Sequence, residues 1–209
     1  MQTSSRQLSI RRALVAAFAV PFFALAALAG GGGGTIAAPA VADSHGPLDL
    51  AGITIKNFGI VDGRIYRGGQ PGKDEYTQLA ALGVKVVIDL RADAKSTSRE
   101  RAEAAGLTYV NIPIDGHGTP TDEDSAAFLK AVESAGGPVY AHCAGGRHRT
   151  GSMVAVYRMT QNNWTIDQAY AEMEAYDFYT RNGHKGFQTY VYDFYKRMKE
   201  NPASVSVAR

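Results

Sequence analysis

One ten-residue segment restricts this chain more than any other: His142-Cys143-Ala144-Gly145-Gly146-Arg147-His148-Arg149-Thr150-Gly151. Just before it, residues 138–142 (PVYAH) are a short apolar run, the pattern of a strand buried on both faces. Just after it, a helix is expected from about Thr150 to Met159. A buried strand that passes through glycines straight into a helix commits its surroundings to alternating strands and helices. The rest of the chain follows that pattern. Residues 53–61, 64–68, 84–90 and 107–113 read as strands, the first two around the turn Asp62-Gly63. A helix after Gln70-Pro71-Gly72 should turn Tyr76, Leu79 and Ala80 inward and stop at Gly83. Thr97-x-x-Glu100 reads as a capping box for a helix ending at Gly106. Thr121-x-x-Asp124 opens another, to about Ser134, with Phe128 and Val132 inside, and Thr165-x-x-Gln168 a third, with Ile166, Tyr170 and Met173 inside. The last helix, about 186–199, carries Phe187, Tyr190, Val191, Phe194 and Met198 at three- and four-residue spacing, a core stripe. The expected fold is α/β, a central mostly parallel sheet of four to five strands flanked by helices. It forms one domain over 53–200 with a tail at 201–209.

The N-terminal residues carry a different signal. Arg6, Arg11 and Arg12 precede an all-apolar run at 13–29, and a small-residue stretch ends Ala40-Val41-Ala42. These are the three parts of a secretory signal peptide over 1–42, cleaved after Ala42 or near Ala29. The apolar run is short for a bilayer span, so a retained anchor is the second reading, and membrane contact would then go through this segment alone. Arg11-Arg12 also permits a twin-arginine route. Residues 43–52 read as a flexible lead-in, and the expected location is periplasmic or secreted. Removing 1–42 takes three of the 22 basic residues and none of the 20 acidic ones, so the remaining charge is 19 − 20 = −1. No basic field is left to hold a nucleic acid.

Within the central segment each residue type suits attack on a phosphate. The backbone N–H groups of a tight loop at a helix N-terminus bind an anion, and Gly145 and Gly146 allow the turns that bring them together. That positive end, with Arg147, His148 and Arg149 near it, favours a thiolate at Cys143, the only cysteine of the chain. Arg149, six residues on, can hold two phosphoryl oxygens in its planar fork. Thr150 can donate to the cysteine sulfur, and His142 orients the loop from behind. Ala144 to Arg149 form the expected phosphate cradle. Chance assembly of these offsets is on the order of one in a million per cysteine by average residue usage.

H-C-x-x-G-x-x-R-T-G resembles the signature of the protein tyrosine phosphatase superfamily, in its dual-specificity branch. IYRGGQP (65–71), a helix and then LGVKVVIDLR (82–91) resemble the opening of the atypical dual-specificity phosphatases of plants, fungi and their bacterial relatives, and G-R-H-R-T-G (146–151) is close to their G-K-H-R-T-G. The resemblance covers about 55–195. It implies a cysteine-phosphatase fold, a phosphocysteine intermediate and no cofactor.

The leaving oxygen needs a proton from an upstream acid. Asp122 and Asp124 fall in the first turn of a capped helix, which gives them a structural reason. Asp115, in the loop 114–120, has none. It also fits the family's P-x-x-D…P pattern as Pro113-Ile114-Asp115…Pro120, one residue shorter. Asp115 is therefore the expected general acid, with Asp122 or Asp124 as the alternative. Asp89 reads as a structural acid, and Arg67 and Gln70 as ties for the N-terminal segment.

The sequence offers no recognisable aromatic wall for a deep phosphotyrosine pocket, so a phosphorylated protein or a small phosphate ester is the expected substrate. Positive charge at Arg147 and His148 would suit a polyanion, and the resemblance adds inositol pyrophosphates or phosphoinositides as an alternative class. The five histidines, His45, His117, His142, His148 and His184, lack ligand spacing, so no metal is expected. A sulfurtransferase, whose loop is usually a residue shorter before the Arg, and a non-catalytic phosphate-binding module are the distant alternatives.

Overall fold

The computed structural model describes Leu50 and residues 52–201. The expected leader over 1–42, nearly all of the lead-in and the tail beyond Asn201 lie outside them. No helix among the described residues is long and apolar enough to cross a membrane.

Five strands form one sheet: β1 (Gly59–Asp62), β2 (Ile65–Gly68), β3 (Val86–Arg91), β4 (Thr108–Ile114) and β5 (Val139–His142). Their spatial order is β1-β2-β5-β3-β4. Only β1 and β2 are antiparallel; β2–β5, β5–β3 and β3–β4 are parallel. The helices are α1 (Glu75–Ala81), α2 (Ser96–Ala104), α3 (Asp122–Ser134), α4 (His148–Gln161), α5 (Ile166–Ala175) and α6 (Lys185–Glu200). Strand side chains alternate between faces. Ile65, Val86, Ile88, Leu90, Val139 and Ala141 pack with residues of α3, α4, α5 and α6, while Tyr66, Val87, Tyr109 and Tyr140 pack with residues of α1 and α2.

Helices thus change face between the connection leaving β3 and the one leaving β5. In open α/β sheets that change of direction opens a crevice at the carboxyl ends of the strands. The register sets His142, the last residue of β5, between Gly68 of β2 and Asp89 of β3. The segment 142–151 therefore leaves the sheet at its middle.

Three expectations change. The strand expected over 53–61 is extended only from Gly59, because Asn57 takes a left-handed conformation (φ 56°) that breaks the run. Residues 53–58 act as a strap instead: Thr54 bonds to Glu75 and Gln78 of α1. The Thr97 capping box does not form. Helix α2 starts at Ser96 with Lys95 as its cap and no side-chain cap bond, which puts Thr97 inside the first turn. Helix α4 begins at His148, two residues early, so the residues expected to cradle a phosphate run into its first turn. The boxes at Thr121 and Thr165 form in full.

Candidate active site

Cys143 follows the last residue of β5 and is 3% exposed. Burial pushes its thiol pKa up. The Thr150 hydroxyl and N–H, the Arg149 charge and the Arg147 N–H outweigh that burial and hold the pKa below its ordinary value. Thr150 Oγ1 is buried and bonds to no oxygen or nitrogen, so its donor is left for the sulfur.

The loop's carbonyls are taken from outside. Gln70 N–H donates to Ala144 O (3.2 Å). Asn57 Nδ2 donates to Gly145 O (3.3 Å) and Gly146 O (3.1 Å), and Arg67 Nη2 also donates to Gly146 O (3.0 Å). Every peptide bond described is trans, and in a trans peptide the N–H of the next residue points opposite to the C=O. Three carbonyls held from outside therefore turn the N–H groups of Gly145, Gly146 and Arg147 away from those donors, and of the three the Arg147 N–H bonds the Cys143 sulfur. Gly146 stands at φ 69°, and a Cβ there would lie 2.5 Å from the Gly68 carbonyl carbon. Gly145 has no such need: a Cβ there would meet only the Arg147 side chain, at ordinary contact distance.

His142 is fully buried, stacked on Tyr140, with Nδ1 at 3.2 Å from Cys143 O and Nε2 at 3.8 Å from Asp89 Oδ2. Burial lowers its pKa to about 4 despite the opposing pull of Asp89, so the ring is neutral near neutral pH. Asp89 is the hub behind it. Its carboxylate takes two bonds from the Arg91 guanidinium (2.9 and 2.7 Å) and one from Tyr109 Oη (2.8 Å). Arg91 in turn donates to Gln70 Oε1, so this buried network reaches the loop by two routes, His142 and Gln70.

Arg149 Nη1 donates to Ile114 O (3.3 Å) and lies 3.8 Å from Asp93 Oδ1; a Cβ on Gly116 would be 3.7 Å from the guanidinium. The guanidinium therefore stands against the loop that carries Asp115. The Asp115 side chain is exposed and accepts from His117 N–H (2.8 Å). Asp122 is engaged by Arg197 (2.6 Å) and Tyr190 Oη (3.1 Å), and Asp124 completes the α3 capping box. Asp93, which the sequence did not single out, is the other carboxylate beside Arg149.

The extra positive charge expected at 147–148 is reduced. Arg147 Nε lies 3.8 Å from Asp177 Oδ2. His148 turns away from the loop: its Nε2 is 3.1 Å from Tyr179 O, and its ring stacks on His184 at 3.7 Å. Burial and the neighbouring His184 lower its pKa to about 4, so it carries no charge near neutral pH. His184 stacks in turn on His117 of the Asp115 loop, at 5.1 Å. These rings meet face to face, and among the described residues no group of three or more His, Cys, Asp or Glu is arranged to hold a metal.

Sequence reasoning missed Asn57, Asp93 and Tyr176, whose ring lies 3.8 Å under the Arg67 guanidinium. None belongs to a local pattern; the packing of the strap and of the loop 176–184 reveals Asn57 and Tyr176, and the approach of Arg149 reveals Asp93.

A protein-family model described as "PTP-NADK: DSP-PTPase phosphatase fused to NAD+ Kinase" matches residues 59–189. A beta-lactamase hydrolase-like protein of Agrobacterium fabrum is 36% identical over 93 residues, covering 41% of this chain and 21% of that protein. A probable tyrosine-protein phosphatase of Dictyostelium discoideum is 30% identical over 122 residues, 56% of this chain and 73% of that protein. An inositol diphosphatase of Arabidopsis thaliana is 29% identical over 126 residues, 57% of this chain and 63% of that protein. The match thus spans as little as 21% of such a relative's length. Among solved structures, P. aeruginosa TpbA is similar with a TM-score of 0.58 at 25% identity, over 66% of this chain and 84% of that one.

Proposed function

Because the chain belongs to the dual-specificity and tyrosine phosphatase family that those matches define, we propose that it hydrolyses phosphate monoesters through a phosphocysteine at Cys143. The observation that carries this reading is the set of outward ties on Ala144, Gly145 and Gly146, which aims successive amides at the side where the acidified thiol stands. A phosphoryl group in that cradle meets N–H donors from the loop and the planar fork of Arg149. The Cys143 thiolate attacks phosphorus as the ester P–O bond breaks, and Asp115 gives its proton to the leaving oxygen. A water then attacks the phosphocysteine and loses a proton to the Asp115 carboxylate. The S–P bond breaks, inorganic phosphate leaves, and Thr150 steadies the departing sulfur. His142 and the Asp89 network hold the loop in register.

The test is hydrolysis of an aryl phosphate by the purified domain in EDTA. Wild type should turn over; Cys143→Ser and Arg149→Ala should not; vanadate should inhibit. Turnover retained in Cys143→Ser would falsify the covalent route.

For substrate class we propose phosphorylated proteins or small phosphate esters. The neutral His148 removes one of the two added charges and a screened pair with exposed Asp177 partly offsets Arg147, which leaves less surplus charge for a polyphosphate. The likeness to an inositol diphosphatase keeps inositol pyrophosphates as the second class. A panel of phosphopeptides, inositol phosphates and nucleotides ranks them by kcat/KM. NADP belongs in it because the matching family is described as fused to NAD+ kinase. We further propose action outside the cytoplasm, on the strength of the leader at 1–42; a reporter fused to that segment should be exported.

A further inference from the structure

Arg67 is an arginine where a packing argument would place an apolar residue. It is 0% exposed at the end of β2, among the largest fully buried side chains. Only Nη2 has a hydrogen bond, to Gly146 O, while Nε and Nη1 are buried without partners. Among the described residues no carboxylate forms an ion pair with it; its other close neighbour is the Tyr176 ring. A buried cation without a carboxylate partner is strongly destabilising, and an apolar residue of similar size would avoid that cost. The carboxylate that acts on it most, Glu172, is itself bonded to Arg158 (2.7 Å), so the Arg67 charge is left without a partner of its own.

We propose that Arg67 is a positioning residue for Cys143. Clamped between Gly146 O and the face of Tyr176, it keeps the loop carbonyls outward and supplies a buried positive charge that favours the thiolate. This rests on the phosphocysteine reading above. Burial lowers the Arg67 pKa, and Glu172 opposes it most, then Tyr176 and Cys143. The link to the sulfur is through one peptide: Arg67 Nη2 holds Gly146 O, and the N–H on the other side of that trans peptide, the Arg147 N–H, bonds the Cys143 sulfur. Any direct charge coupling between the two is reciprocal and adds to that peptide link. Arg149 remains the cation that acts on the thiol directly. It sits at 11% side-chain exposure, held toward the loop at 114–116, and in the proposed mechanism also binds substrate.

A purely structural Arg67 and a thiolate-setting Arg67 differ in one readout, the pH dependence of Cys143 alkylation by iodoacetamide. It needs no phosphatase turnover. In Arg67→Met the midpoint should rise by about half to one pH unit, so alkylation below the midpoint slows about 3- to 10-fold. The acid limb of kcat/KM on an aryl phosphate should move with it. Arg67→Lys, which keeps a charge, should fall between Arg67→Met and wild type. A folded Arg67→Met, checked by circular dichroism, whose alkylation profile overlays wild type overturns the proposal while leaving the phosphocysteine mechanism intact. Should Arg67→Met fail to fold, Tyr176→Leu removes the ring that holds the guanidinium. A smaller upward shift there supports the proposal, and an unchanged midpoint overturns it. A wild-type thiol that is inert at pH 6 sinks both the proposal and the mechanism beneath it.

Discussion

Two carboxylates stand near Arg149 as candidates for the proton donor of the proposed mechanism, and their surroundings separate them. Asp93 is 80% exposed and 3.8 Å from the guanidinium, a screened surface pair. Asp115 lies on a loop pressed against that guanidinium and folded tightly enough that a Cβ on Gly118 would be 2.9 Å from the Asp115 Cβ. Asp115→Asn is therefore expected to lower kcat on alkyl phosphates by roughly 10²-fold, and less on esters with good leaving groups. Asp93→Asn should leave kcat within a few-fold of wild type. If the large loss appears in Asp93→Asn instead, the acid is Asp93. Asp122→Asn loses an exposed pair with Arg197, so it should cost up to about 1 kcal/mol of stability and no catalytic rate. Steady-state kinetics on two esters and one thermal melt distinguish all three variants.

Turns and helix starts divide into those whose signal is local and those whose signal is not. Thr121 and Thr165 were readable because a capping box is a contract between residues three apart, and both boxes form. Thr97 carries the same letters, yet α2 begins at Ser96, where the Ser98 N–H turns back on Lys95 O (2.9 Å). The central strand and its loop were readable for a similar reason, since apolar run, glycine and helix start are adjacent in the chain. The strap at 53–58 was not. Its role depends on Asn57 reaching loop carbonyls 88 and 89 residues away, and the run of apolar residues around it imitates a strand. Asn57→Ala should leave the Gly145 carbonyl without its donor and weaken vanadate inhibition roughly 5- to 30-fold, equivalent to ~1–2 kcal/mol. Gly146→Ala should abolish vanadate binding altogether, because the new methyl group meets the backbone of Gly68 and the φ of 69° opposes it. Vanadate binding equal to wild type in Gly146→Ala would show that the loop is not held in this form.

The strand order was readable only in outline. Alternating strands and helices announce a mostly parallel sheet, but β5 slots between β2 and β3 through contacts far apart in sequence. That arrangement buries the imidazole of His142, while Phe178, Tyr179, His184 and Phe187 pack around that of His148; each is held neutral with a pKa of about 4, burial being the main cause in both. An unfolded imidazole takes up its proton near 6.5, so between about pH 6.5 and 4 the unfolded chain binds more protons than the folded one. Stability should therefore fall as pH falls through that window and level off for these two groups below about 4. Asp89 acts in a more acidic window. Burial raises its pKa, but Arg91, His142 and Tyr109 outweigh that and hold it below the ordinary carboxylate value. Its contribution is present above that ordinary value and is lost as pH drops through the lower folded one. Melting temperature against pH should decline from 6.5, and His142→Gln should flatten that decline; a wild-type slope in both His142→Gln and His148→Gln would assign it to other groups. The position of β5 has one more outcome. Its reactive end is walled by two neighbouring strands, whereas the segments 115–119 and 176–184 that frame the opening hang from the periphery. Transplanting those two segments from a relative should retarget the catalyst to another ester while its reaction chemistry stays unaltered.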